Sequence, residues 1–171
     1  QTMQANKLGL PTFEAETDAP LVKDLLELLP AIETDMTIFY RQLAATVGDA
    51  PEDNVAALLD AYYVPAQIDA PYREKLDNWV GRWRERIGQE GRPADEVQAA
   101  MNAVNPKYVM RNYLAQLAID QAETGDFSMV HELLDTMRSP YDEQPGREHL
   151  AEKRPDWARS RPGCSMLSCS S

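Results

Sequence analysis

"PYREKLDNWVGRWRERI", Pro71 to Ile87, decides the fold. Leu76, Trp79, Val80, Trp83 and Ile87 recur at helical spacing and form one apolar stripe, while Arg82, Arg84, Glu85 and Arg86 lie mostly outside it. Two tryptophans on one stripe are read as core, because an indole buries a large area and needs a single partner for its N–H. Gly88 and Gly91 end this helix.

The same 3.6-residue spacing runs outward in both directions, and no stretch alternates as a strand would. Upstream, Gly9 and Pro11 in "NKLGLP" close a first helix. Asp18 is read as the N-cap of a second, with Pro20 in its first turn, Leu21, Val22, Leu25, Leu26, Leu28 and Leu29 as its apolar face and Pro30 ending or kinking it. Thr34 is read as the cap of a third, carrying Met36, Phe39, Tyr40 and Leu43, and "NVAALLDAYY" is a short helix stopped before Pro65. Downstream, Pro93 opens a helix with Val97, Ala100, Met101 and Val104 inward. Asn105 and Pro106 read as N-cap and first residue of another, bearing Val109, Met110, Tyr113, Leu114, Leu117 and Ala118. Gly125 closes it, and a last helix follows with Val130, Leu133, Leu134 and Met137 inward. The sequence therefore predicts an all-α fold: an irregular bundle of about seven helices over 1–138. After Ser139 four prolines and many charges replace the apolar pattern, so 139–171 is expected to be an extended tail, ordered only where it lies on another surface, with Trp157 as its anchor.

The 171 residues carry a formal charge of -11. From Glu14 to Asp69 there are twelve acids against two bases, Lys23 and Arg41. Such a surface excludes nucleic acid and anionic membranes as partners, since both need a basic face. No apolar run has the length of a membrane span. No secretory leader is read, and the chain starts Gln1-Thr2-Met3 inside a helical pattern, which predicts a piece of a longer protein.

Few residues suggest chemistry. "HELLD", His131 to Asp135, lacks the second histidine of a zinc helix, and His149 in the tail is the only other one. "GDFS", Gly125 to Ser128, is a helix stop followed by a helix start. "GQEG" lacks the preceding strand of a phosphate loop. No catalytic, cofactor-binding or metal residue is assigned. Two thiols remain, Cys164 and Cys169. A bond between them would close a small ring worth about 2 kcal/mol. Beside the terminal carboxylate, and with Arg159 and Arg161 the nearest bases, Cys169 suits a tethered exchange thiol better than a nucleophile.

"NPKYVMRNYLAQLAIDQAETGDF", then "RSPYDEQP", "RPDW" and the terminal "SCSS", together with "NKLGL" and Asp35-Met36-Thr37 upstream, resemble the C-terminal end of the selenoprotein O family. The resemblance covers most of the chain and is strongest from Asn105 to Asp142; its motif residues include Asn105, Pro106, Arg111, Asn112, Gln116 and Trp157. It implies a kinase-like protein adenylyltransferase that binds ATP with Mg or Mn and moves AMP to Ser, Thr or Tyr hydroxyls of other proteins. It implies that the nucleotide and metal residues lie in a kinase-like domain upstream, so this part is structural or regulatory and inactive alone. Cys169 takes the position of a selenocysteine or cysteine that can pair with a cysteine of that domain, with thioredoxin- or glutaredoxin-type reductants releasing it. Cys164 departs from the pattern and is expected to compete for Cys169. The resemblance implies a bacterial, cytoplasmic protein, or a mitochondrial one in eukaryotes. Two other readings stay open: a free-standing helical interaction module, and the redox tail of a thiol-disulfide enzyme.

Overall fold

A computed structural model describes residues 2–48 and 52–164. Those residues are all-α, with seven α-helices, four short 3-10 turns and one isolated bridge, between Thr34 and Tyr62. They form two compact units, divided between Asn105 and Pro106.

The first unit holds α1 (Thr2–Lys7), α2 (Ala15–Ala31), α3 (Met36–Ala45), 3-10 turns at Ala56–Ala61 and Pro65–Gln67, α4 (Ala70–Gln89) and α5 (Ala94–Asn102). The stripe of α4 is its centre. Trp79 and Trp83 are fully buried, with ring planes 4° apart and centroids 6.3 Å apart. Each indole has its partner: Trp79 donates to Leu21 O at 2.8 Å, and Trp83 to Leu8 O at 2.9 Å. Three side chains distant in sequence close the end of α1. Asn105 Nδ2 donates to Lys7 O (2.9 Å), Trp83 to Leu8 O, and Arg92 to Gly9 O (3.2 Å). Gly9 is obligatory there, because its φ is +77° and a Cβ would sit 2.9 Å from Val97 Cγ1.

Local capping differs from the sequence reading at three places. Helix α2 begins after Glu14, and Asp18, inside its first turn, reaches back to accept Glu14 N–H at 2.7 Å. Pro30 sits within the last turn of α2, which stops one residue later at Ala31. Asp35 rather than Thr34 caps α3, accepting from Ile38 N–H. Asn105 starts no helix: its amide NH2 serves the carbonyls of Lys7 and Met101, so it closes the preceding elements.

The second unit holds α6 (Asn112–Glu123), α7 (Ser128–Met137) and 3-10 turns at Glu148–Ala151 and Asp156–Arg159. Its core is Tyr108, Tyr113, Leu114, Ala118, Leu133, Leu150, Ala158 and Cys164. Pro140 O accepts from both Lys107 and Tyr108 N–H, which holds 106–111 outside the helix. Gln144 Nε2 donates to the carbonyls of Thr136 and Ser139, and Arg147 to Thr136 Oγ1, sealing the end of α7. The compact unit thus runs across the 138/139 boundary drawn from composition, because single buried residues (Leu150, Ala158, Cys164) anchor this irregular chain. Val130 and Leu134 of α7 do not face in: they are 38% and 51% exposed.

Candidate functional site

The residues singled out by sequence fall into both units, and the second brings several of them together. Helix α6 presents Tyr113, Gln116 and Asp120 at spacings of three and four, hence on one face. The segment 156–164 lies along that face as a strap. Trp157 meets the Tyr113 ring edge-on at 6.1 Å, and the Arg161 guanidinium lies 5.7 Å from the Trp157 centroid. Arg161 donates to Asp120 Oδ2 at 2.5 Å, and Gln116 Nε2 to Asp120 Oδ1 at 3.0 Å. The Gln116 hydrogen bond, with that of Arg161 and its charge, holds the Asp120 carboxyl below the usual carboxylate range. At Gly163, φ is +83°, backbone that favours glycine, and the Gln116 side-chain amide fills the space where a Cβ would stand.

The strap ends on Cys164, which is free, 1% exposed and part of the core. A thiol so placed is shielded from exchange while the strap is seated. The arginines near the thiols in sequence are engaged elsewhere: Arg161 with Asp120, and Arg159 with Asp156 at 3.6 Å. Cys169 lies outside the described residues. Trp157 rests edge-on against Tyr113 and is 44% exposed. Arg111 is buried at the start of α6 with Asn112 beside it, and Pro106 follows Asn105 into the second unit. Sequence reasoning missed Tyr113, Asp120 and Arg161 as a set; the spacing of 113, 116 and 120 on one helix face was the available signal.

His131 is exposed, and His149 Nε2 lies 3.4 Å from Glu132 Oε1. Among the described residues, no group of three or more His, Cys, Asp or Glu side chains is placed to hold a metal ion. A groove of about 630 Å³ runs between α2 and α4, lined by Asp24, Glu27, Tyr72, Lys75 and Arg82 among others. Its strongest charges neutralise each other, with Arg82 donating to Asp24 at 2.6 Å. No helix among the described residues is long and apolar enough to cross a membrane.

The family profile described as "Protein adenylyltransferase SelO" matches residues 1–138. The chain is similar to the protein nucleotidyltransferase YdiU of Rhodopirellula baltica, 53% identical across 99% of this chain and 34% of that protein. It is equally similar to YdiU of Aromatoleum aromaticum, 53% identical across 99% of this chain and 32% of the relative. YdiU of an Azoarcus species is 50% identical across 100% of this chain and 32% of its own length. The chain thus spans about a third of the length of the curated relatives it matches.

Proposed function

This chain belongs to the SelO protein adenylyltransferase family, and from that premise we propose that it is the helical C-terminal portion of an enzyme that transfers AMP from ATP to protein hydroxyls. The observation that carries the reading is the identity of about half of the positions over nearly the whole chain, against relatives three times as long and named nucleotidyltransferases. In this reading the remainder of the parent, a kinase-like domain, binds ATP with Mg or Mn and carries out the transfer to Ser, Thr or Tyr. No step of that chemistry is assigned to the described residues, whose carboxylates do not assemble a metal-ligand set.

The role of this portion is to buttress the parent and to set where the C-terminal thiol is delivered. The strap supports that role, since Trp157, Arg161 and Gly163 fix the chain against α6 up to Cys164. Cys169, five residues on, is then the exchange thiol that couples redox state to activity, with a thioredoxin- or glutaredoxin-type dithiol as reductant. The bacterial relatives support a cytoplasmic site of action.

The test uses ATP labelled on the α- or the γ-phosphate. The full-length parent is expected to attach the α label and not the γ label to protein, and the 171-residue chain to attach neither. Transfer of the γ label, or AMP transfer by this chain alone, would overturn the reading. Cys169→Ser in the parent is expected to abolish the response of transfer to oxidation; an unchanged response removes the redox role.

A further inference from the structure

The strap and the core beneath it are held by different means. Within 156–164 only Ala158 and Cys164 are buried, and both are small. The larger members of that core, from Tyr108 to Leu150, lie outside the strap. The strap's backbone bonds close its own turns, Ala158 N–H to Pro155 O and Cys164 N–H to Arg161 O. Among the described residues, no backbone hydrogen bond ties it to α6. The side chains that join it to α6 lie at the surface: the Trp157 ring is 44% exposed, and those of Arg161 and Asp120 are 40% and 35% exposed. A segment with few buried contacts and no backbone ladder opens at less cost than the unit it lies on, and a surface ion pair adds little to that cost. Upstream, Leu150 is 0% exposed and fixes the chain again.

We infer that the strap is a latch that sets how far the terminal thiol can travel, which rests on Cys169 being the exchange thiol proposed above. The covalent chain fixes two ranges. With the strap seated, Cys169 follows five residues after a side chain held in the core, so it reaches at most about 17 Å from Cys164. With the strap open, the nearest fixed point is Leu150, nineteen residues back, and the reach grows to about 65 Å. The seated latch confines exchange to thiols within one short radius of Cys164. The open latch carries the thiol out to a separately folded dithiol reductant. Opening leaves α6 and α7 in place, because the large side chains of their core stay buried without the strap.

The experiment is trypsin cleavage of the native full-length parent over a series of sub-denaturing urea concentrations, read by mass spectrometry. Within the strap only Arg159–Ser160 can be cut, because Pro162 follows Arg161, and the cut releases 160–171 with both thiols. Arg111–Asn112, where Arg111 is 4% exposed, reports unfolding of the whole second unit. Release of 160–171 is expected without urea and to rise less than about twofold per molar, against about fivefold for the Arg111 cut, since urea sensitivity follows the surface exposed. Release that follows the urea dependence of the Arg111 cut overturns the inference. Trp157→Ala and Asp120→Asn, one neutral and one charge-changing, are each expected to speed release about threefold. Both are expected to speed the reduction of oxidised Cys169 by a thioredoxin by the same factor, and to leave its reduction by dithiothreitol unchanged. Variants that speed the cut but not the thioredoxin reaction overturn the latch. Equal acceleration with dithiothreitol means that the disulfide itself was uncovered, and overturns it as well. The two readings fail separately: an oxidised parent whose Cys169 stays a thiol removes the redox role, while the urea series alone decides whether the strap opens by itself.

Discussion

Arg86 donates through Nε to Asp18 Oδ1 at 2.8 Å, joining the last turn of the first unit's longest helix to the first turn of α2. The Asp18 side chain is 0% exposed and that of Arg86 7%. Glu90 first, and then Asp18 and Glu14, raise the pKa of Arg86, so its charge is permanent. Asp18 also accepts Glu14 N–H, so one carboxylate closes a helix start and neutralises a buried cation. Asp18→Ala is expected to destabilise by about 1.5–3 kcal/mol, the loss of a buried hydrogen bond to a charged group, since Glu90 and Glu14 still pair with Arg86. The check is urea denaturation. Adding Arg86→Met is expected to recover part of the loss; a double variant no better than D18A would show that the cap alone matters.

The strap carries a pH dependence of known sign. Asp120 is held below the ordinary carboxylate range, so its stabilising contribution is fully present above the unfolded value of about 3.9. It is lost as pH falls through the lower folded value. Wild type is expected to exceed Asp120→Asn in denaturation midpoint at neutral pH, with the gap closing in strong acid. A gap independent of pH would mean that the Arg161 contact carries no charge component.

Cys164 gives a direct readout of strap opening. Alkylation of the native thiol is expected to be at least about a hundredfold slower than in urea, because reaction requires local release. Trp157→Ala is expected to accelerate it by removing the ring set on Tyr113. Equal rates in wild type and W157A would show that other contacts, such as those of Leu150 and Ala158, hold Cys164 in place.

Gly9→Ala combines a φ of +77° with a Cβ 2.9 Å from Val97 and 3.0 Å from Met101. The expected loss is about 1–3 kcal/mol from backbone strain and overpacking. Adding Val97→Ala is expected to recover the packing share and leave the backbone share, as thermal unfolding would show.

The α4 stripe was legible because five apolar residues at helical spacing admit one burial pattern, and the structure places all of them in the core. Periodicity shows that a face is apolar but not how far neighbours cover it, which is why Val130 and Leu134 read as core and are exposed. Capping was misread where one residue type serves two purposes. Asn105 uses its amide NH2 on carbonyls instead of its oxygen on N–H groups, and Asp18 caps from within the turn. The strap was not legible as structure, since Leu150, Ala158 and Cys164 bury themselves at intervals of eight and six with no repeating pattern. Its candidates Gln116, Trp157 and Cys164 come together only through Tyr113, Asp120 and Arg161. The resemblance reached furthest, because ordered motifs report ancestry that packing arguments cannot.

The three carbonyls ending α1 find their donors on residues 83, 92 and 105. A six-residue helix has too few internal bonds to persist in water. During synthesis, then, α1 emerges before the rest of its unit yet is among the last of that unit to settle: it waits some hundred residues for Asn105 before its end can be closed. Early arrest of translation would leave that segment unstructured and open to proteases, however well α2 to α4 had already collapsed.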